Sequence, residues 1–144
     1  MEINGLPLHP LVIHAAVVLA PVAAVVALLY AAVPSWRDRL RWPMVALAAA
    51  AGLAVVAAYV TGRSFLNSKP ALEQLAQVQT HVDRAWIALW CALAFSVVAV
   101  AAGWAHPRPG VLRLVTTLAL VVTALATLVA VVLTGDAGAR AVWG

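Results

Sequence analysis

Apolar positions along the chain come in four long runs rather than in the spaced stripes of a fold that meets water. Leu11 to Val33 is broken only by His14 and Pro21, and Met44 to Val60 holds no charged side chain. Ala85 to Ala105 and Leu114 to Leu133 complete the set. Each run approaches the ~20 residues that carry a helix across ~30 Å of hydrocarbon. A helix also satisfies its own backbone where no water can. The pattern predicts an all-α fold: an antiparallel bundle of four transmembrane helices in one domain, 1–144, with spans at about 11–33, 44–61, 85–105 and 114–134.

Breakers mark the predicted ends. Pro10 suits a first helical turn, Pro34 and Ser35 stop the first helix, and Pro43 opens the second. Thr61-Gly62 and Thr134-Gly135 read as the closing residues of helices two and four, with His106-Pro107-Arg108-Pro109-Gly110 as a tight turn between helices three and four. In the longer connection, 62–84, Asn67 or Ser68 before Pro70 resembles a helix start. Leu72, Leu75, Val78 and Val82 then run at roughly helical spacing into Ala85. Helix three is therefore expected to extend beyond its span, or to follow a short interfacial helix.

Composition supports the membrane reading. The chain is 65% hydrophobic and 10% charged, so it has too little polar surface to coat a soluble fold. Its net charge of +4 is scattered through short loops, which argues against a nucleic-acid partner and for the lipid bilayer. The first run is longer than a signal-peptide core and lacks a cationic lead, so a cleaved signal is not expected. Cys91 lies alone in an apolar segment and reads as packing. Arg37, Arg39, Arg41, Arg108 and Arg113 crowd two short connections, whereas Arg63, Lys69, Arg84 and Arg140 are spread over a longer length. The positive-inside rule then places both short loops in the cytoplasm and both termini outside. An offset of 72–73 residues brings His81 onto His9, Pro107 onto Pro34 and Thr134-Gly135 onto Thr61-Gly62, suggesting two repeated helical hairpins.

Candidate chemistry rests on histidine. His9, His14 and His81 fall at the expected outer ends of helices one and three, and His106 at the opposite turn. His14 lies about one turn inside the apolar run, where a polar side chain is costly and usually faces inward. In one reading His14 and His81, or His9 and His81, are the axial ligands of a b-type haem beside Ala85, Ala88 and Ala92, with Arg63, Arg84 and Arg140 for the propionates. In a second reading the histidines hold a small metal ion such as Zn or Cu. His9 and His14 are five residues apart, about 140° around a helix, so they converge only if His9 is off the helix. In a third they only bond carbonyls or the carboxylates of Asp83 and Asp136.

Thr116, Thr123, Thr127 and Thr134 form a narrow stripe, read as helix–helix glue with a hydroxyl-lined path as the sharper alternative. Ala50, Ala54 and Ala58 offer a small-residue seam. Trp36, Trp42, Trp104, Trp86 and Trp143 suit an interfacial belt, and Trp90 reads as packing. There is no Gly-rich phosphate loop, Cys-x-x-Cys or Gly-x-Ser-x-Gly, and no carboxylate in mid-span.

The opening Leu8-His9-Pro10-Leu11-Val12-Ile13-His14 resembles that of a family of bacterial membrane proteins, domain-of-unknown-function family 2231. The resemblance extends over the whole chain, through a histidine before the third span (His81) and a Gly-containing end after the fourth (Gly135-Asp136-Ala137-Gly138). Members often continue His-Phe-Pro, whereas His14 here precedes Ala15-Ala16, which leaves the choice between His9 and His14 open. Association of relatives with Rieske or cytochrome-like domains implies membrane redox chemistry. The leading expectation is thus a haem b protein passing electrons to a redox partner or within a homo-oligomer, rather than an enzyme by itself. A non-catalytic membrane subunit and a small metal-handling or permease-like protein are the alternatives.

Overall fold

A computed structural model of the chain describes residues 2–3 and 6–144, with side chains from His9 onward. The expected architecture is present: α1 (Leu8–Ala32), α2 (Arg37–Asn67), α3 (Ala76–Ala105) and α4 (Val111–Trp143), each long and apolar enough to cross a membrane. Ahead of them, Glu2–Ile3 pairs antiparallel with Leu6–Pro7, too short a ladder to change the class. Each helix packs on its two neighbours in chain order and α1 closes on α4, so α1 and α3 lie across one diagonal of an up-and-down bundle. One end carries the two short loops; the other carries both termini and the 68–75 connection, which includes a short 3-10 turn at Pro70–Gln74.

Lipid gives helices little hydrophobic reason to associate, so packing must come from close approach of small side chains. The interior is accordingly alanine. Ala20, Ala23, Ala27, Ala48, Ala51 and Ala99 are fully buried, joined by Tyr30, Met44, Phe95 and Leu120. Gly52 and Gly103 bring α2 and α3 closest: a Cβ at Gly52 would sit 2.3 Å from Ser96 Oγ, and one at Gly103 2.6 Å from Val45 Cγ2. Bulky apolar residues such as Leu53, Val97 and Val122 face outward, inverting a soluble core.

The repeat is real but has two registers. The inward stripe of α1 (His9, Ala16, Ala20, Ala23, Ala27, Tyr30) maps onto His81, Ala88, Ala92, Phe95, Ala99 and Ala102 of α3 at an offset of 72. The stripe of α2 (Met44, Ala48, Ala51, Val55) maps onto Leu120, Ala124, Thr127 and Val131 of α4 at an offset of 76, not 73. The four extra residues are close to one helical turn, which preserves the face.

Several expected boundaries move. Helices two and four continue through Thr61-Gly62 and Thr134-Gly135, to Asn67 and Trp143. Those glycines do not end the helices. Pro43 lies inside α2 rather than opening it: the helix starts six residues earlier, at Arg37, so proline here removes one main-chain hydrogen bond beyond the first turn. The seam of α2 runs through Ala48, Ala51 and Gly52, with Ala54 and Ala58 at its margin, rather than through Ala50, Ala54 and Ala58. The extension of helix three holds: α3 starts at Ala76, nine residues before Ala85.

Candidate functional site

His9 and His81 head the two inward stripes at the termini end, each half-buried. Each reaches across to the partner helix of its own hairpin. His9 Nδ1 lies 3.1 Å from Ala58 O, and His81 Nδ1 lies 3.0 Å from Thr134 O. A carbonyl can only accept, so in both rings the proton is on Nδ1 and the lone pair on Nε2. The Thr61 hydroxyl, which donates to Ala57 O at 2.7 Å, also lies 3.4 Å from His9 Nδ1.

The space for each ring is a missing side chain. A Cβ on Gly62 would stand 2.9 Å from His9 Cε1, and one on Gly138 would stand 3.1 Å from His81 Cε1. In both hairpins the glycine follows the accepting residue by four, so the ring lies over the helical turn whose carbonyl it bonds. The two seats are related by the repeat. The partner of Gly62 is therefore Gly138, whereas Gly135, expected in that role, has nothing within 4 Å of its would-be Cβ. Among the described residues neither Nε2 has a hydrogen-bond partner.

His14 is not brought to this pair. It is exposed, and its Nδ1 donates to Pro10 O of its own helix at 2.6 Å. Its counterpart at an offset of 72 is Trp86, also on the outside at 48% exposure. His9 is on the helix after all, so the angular step between the two histidines keeps His14 off the inward stripe. His9, not His14, lies on the inward stripe of α1, as His81 does on that of α3.

The arginines gather elsewhere. Arg84 donates to Leu133 O at 2.9 Å and approaches Asp136 at 3.5 Å, and Arg140 holds the same carboxylate at 3.1 Å. They flank a cleft of about 270 Å³ between α3 and α4, completed by Gln77, Thr80 and Ala137 and lined by no histidine. Arg63 is exposed on α2. The threonine stripe of α4 is self-satisfied: Thr116, Thr123, Thr127 and Thr134 each donate to the carbonyl four residues back, at 2.7–2.9 Å. Trp90 is 55% exposed, stacked edge-on with Trp86 rather than lining a pocket.

A second constellation had no signal in the sequence. Fully buried Tyr30 places its hydroxyl 2.9 Å from His106 Nδ1, and His106 Nε2 lies 2.7 Å from Asp38 Oδ1. A neutral imidazole satisfies both, accepting from tyrosine and donating to aspartate. Arg37 donates to Tyr30 O and Ala31 O, and Arg41 to Gly103 O at 2.8 Å, so both helices that end on this face have basic partners for their last carbonyls.

The geometry thus sets a histidine at the head of each odd-numbered helix against a glycine of the next, inside a four-span bundle. Over residues 5–144 the sequence matches the family described as predicted membrane protein (DUF2231). The chain belongs to that family. No curated protein and no solved structure matches it. The DUF2231 match spans both hairpins, so both histidine–glycine seats fall inside it, and the chain is an integral membrane protein in contact with lipid.

Proposed function

We propose that this DUF2231 protein is a metal-handling membrane subunit in which His9 and His81 bind one first-row transition-metal ion at the termini face. The observation that carries the reading is the matched pair of Nε2 lone pairs. Histidines that ligate metals characteristically donate the other ring nitrogen to a carbonyl or carboxylate, which fixes tautomer and orientation. Both rings do so here, at equivalent places in a repeat. Imidazole suits Zn, Cu, Fe and Ni, and two ligands leave positions for water or a partner protein's donor.

Haem b with membrane electron transfer is the second reading. It would use the same two nitrogens, and their place on diagonal helices favours ligation from opposite sides of an iron. The single ion is preferred because two Nε2 donors suffice for it, whereas a macrocycle also needs a cleft beside them, and the cleft between α3 and α4 is lined by no histidine. Arginine density on the short-loop face supports a cytoplasmic position for that end, with both termini and the histidine pair outside a bacterial inner membrane.

The test is metal analysis of the detergent-solubilised protein after dialysis against Cu and Zn salts, with an absorption spectrum after expression in ample haem. One equivalent of ion is expected, lost in His9→Ala and in His81→Ala and kept in His14→Ala. A Soret band with the same histidine dependence establishes the haem reading instead. Protein that takes up neither ion nor haem reduces the histidines to pins between helices.

A further inference from the structure

On the short-loop face a cleft of about 180 Å³ opens between the start of α2 and the first turns of α4, lined by Arg37, Gly110, Arg113, Leu114 and Thr117. We propose that it binds one anionic phospholipid, with the phosphate at Arg37 and Arg113 and an ester oxygen at Thr117.

Charge is the first argument. Two guanidinium groups line the cleft and no carboxylate does. Nearby Asp38 is turned to His106. Arg37 spends Nε and Nη2 on the carbonyls of Tyr30 and Ala31, which leaves Nη1. Arg113 is half-buried without an acid partner among the described residues. A guanidinium fork matches a phosphate's oxygens and is the side chain most used for that purpose. Gly110, at φ 109°, begins α4 with no side-chain cap. Leu114 N–H is the first amide to bond within the helix, to Gly110 O, so those of Val111, Leu112 and Arg113 remain as donors near the cleft.

Depth is the second argument, and it separates a lipid from a free anion. Thr117 lies seven residues below Gly110, about 10 Å along the helix axis. Its neighbours Thr116, Thr123, Thr127 and Thr134 all give their hydroxyls to their own helix, whereas the Thr117 hydroxyl has no partner among the described residues, and Thr117 lines the cleft. Cations at the mouth, Leu114 between and a free hydroxyl beneath reproduce the order of a phosphoglyceride: phosphate, glycerol, ester. Below them Leu118 is 57% exposed, a surface for acyl chains. Trp36 and Trp104, exposed at the same end, mark the headgroup level.

The test is native mass spectrometry of the full chain in detergent, titrated with dioleoyl phosphatidylglycerol or dioleoyl phosphatidylcholine. Phosphatidylglycerol should bind roughly 5-fold or more tightly than phosphatidylcholine, the size expected of about one basic contact. Arg113→Gln should remove most of that preference, and Thr117→Val should weaken both lipids by about 2-fold. Arg39→Gln, which removes an exposed charge from the same face but outside the cleft, should change nothing. Equal binding of the two lipids, an unchanged Arg113→Gln, an equal loss in Arg39→Gln, or displacement by millimolar inorganic phosphate would each overturn the proposal. If Arg113→Gln loses helix content, Arg113→Lys keeps the charge without the fork and should show a smaller loss.

Discussion

The two ends of the bundle are held by different kinds of bond. At the short-loop end Arg37 bonds within the first hairpin, but the other hydrogen bonds between helices run between hairpins: Tyr30 of the first to His106 of the second, His106 back to Asp38, and Arg41 to Gly103. Further in, Ser96 reaches across to Ala48 O at 2.8 Å. At the termini end every described hydrogen bond between helices stays within a hairpin: His9 to α2, His81 and Arg84 to α4. One end is therefore stitched, while the other is two separately fastened pairs meeting by packing alone.

The contrast can be broken most severely from the stitched side. Gly52→Leu drives a side chain into Ser96 and should cost about 1–3 kcal/mol or more, read as loss of folded protein in a denaturant titration in detergent. His106→Ala leaves the buried Tyr30 hydroxyl unpaired and should cost about 1–3 kcal/mol, with Tyr30→Phe/His106→Ala regaining part of it. If His9→Ala destabilises more than His106→Ala, the ends have been ranked wrongly.

The seats sharpen the comparison. Gly62→Ala and Gly138→Ala should each displace a ring, costing about 1 kcal/mol and several-fold in metal affinity, whereas Gly135→Ala should gain about 0.5–1 kcal/mol from helix propensity. Equal responses at all three positions would dismiss the seats. The smallest effect is expected from Asp136→Asn: its partners are exposed, so a few tenths of a kcal/mol, vanishing in high salt, should be seen in thermal melts.

What could be read from the sequence follows the physics of each signal. Hydropathy counts the length of a span directly, so four helices were legible, and the helical spacing of Leu72, Leu75, Val78 and Val82 pointed to the extension of α3. Glycine is ambiguous in one dimension: Gly62 looks like a helix end yet clears space for a ring from another helix. His14 drew attention by its depth in an apolar run, but depth is not azimuth. The inward face is better read from the small-residue stripe, and Ala16 and Ala20, matched by Ala88 and Ala92 at the offset of His9 and His81, carried that information. Tyr30, Asp38 and His106 meet across two loops with no local pattern, so only the folded chain brings them together.

The alanine interior has an electrical consequence. Side chains with one carbon let the helices draw together until, among the described residues, the fully buried polar groups are the Tyr30 hydroxyl near the short-loop end and self-bonded Thr127. The middle of the molecule then acts as an insulator, several helical turns thick, between two wet and ionisable ends. On the metal-handling reading proposed above, an ion held at the termini face would have no ladder of buried ligands to descend and would exchange sideways, with a neighbour docked on that same surface.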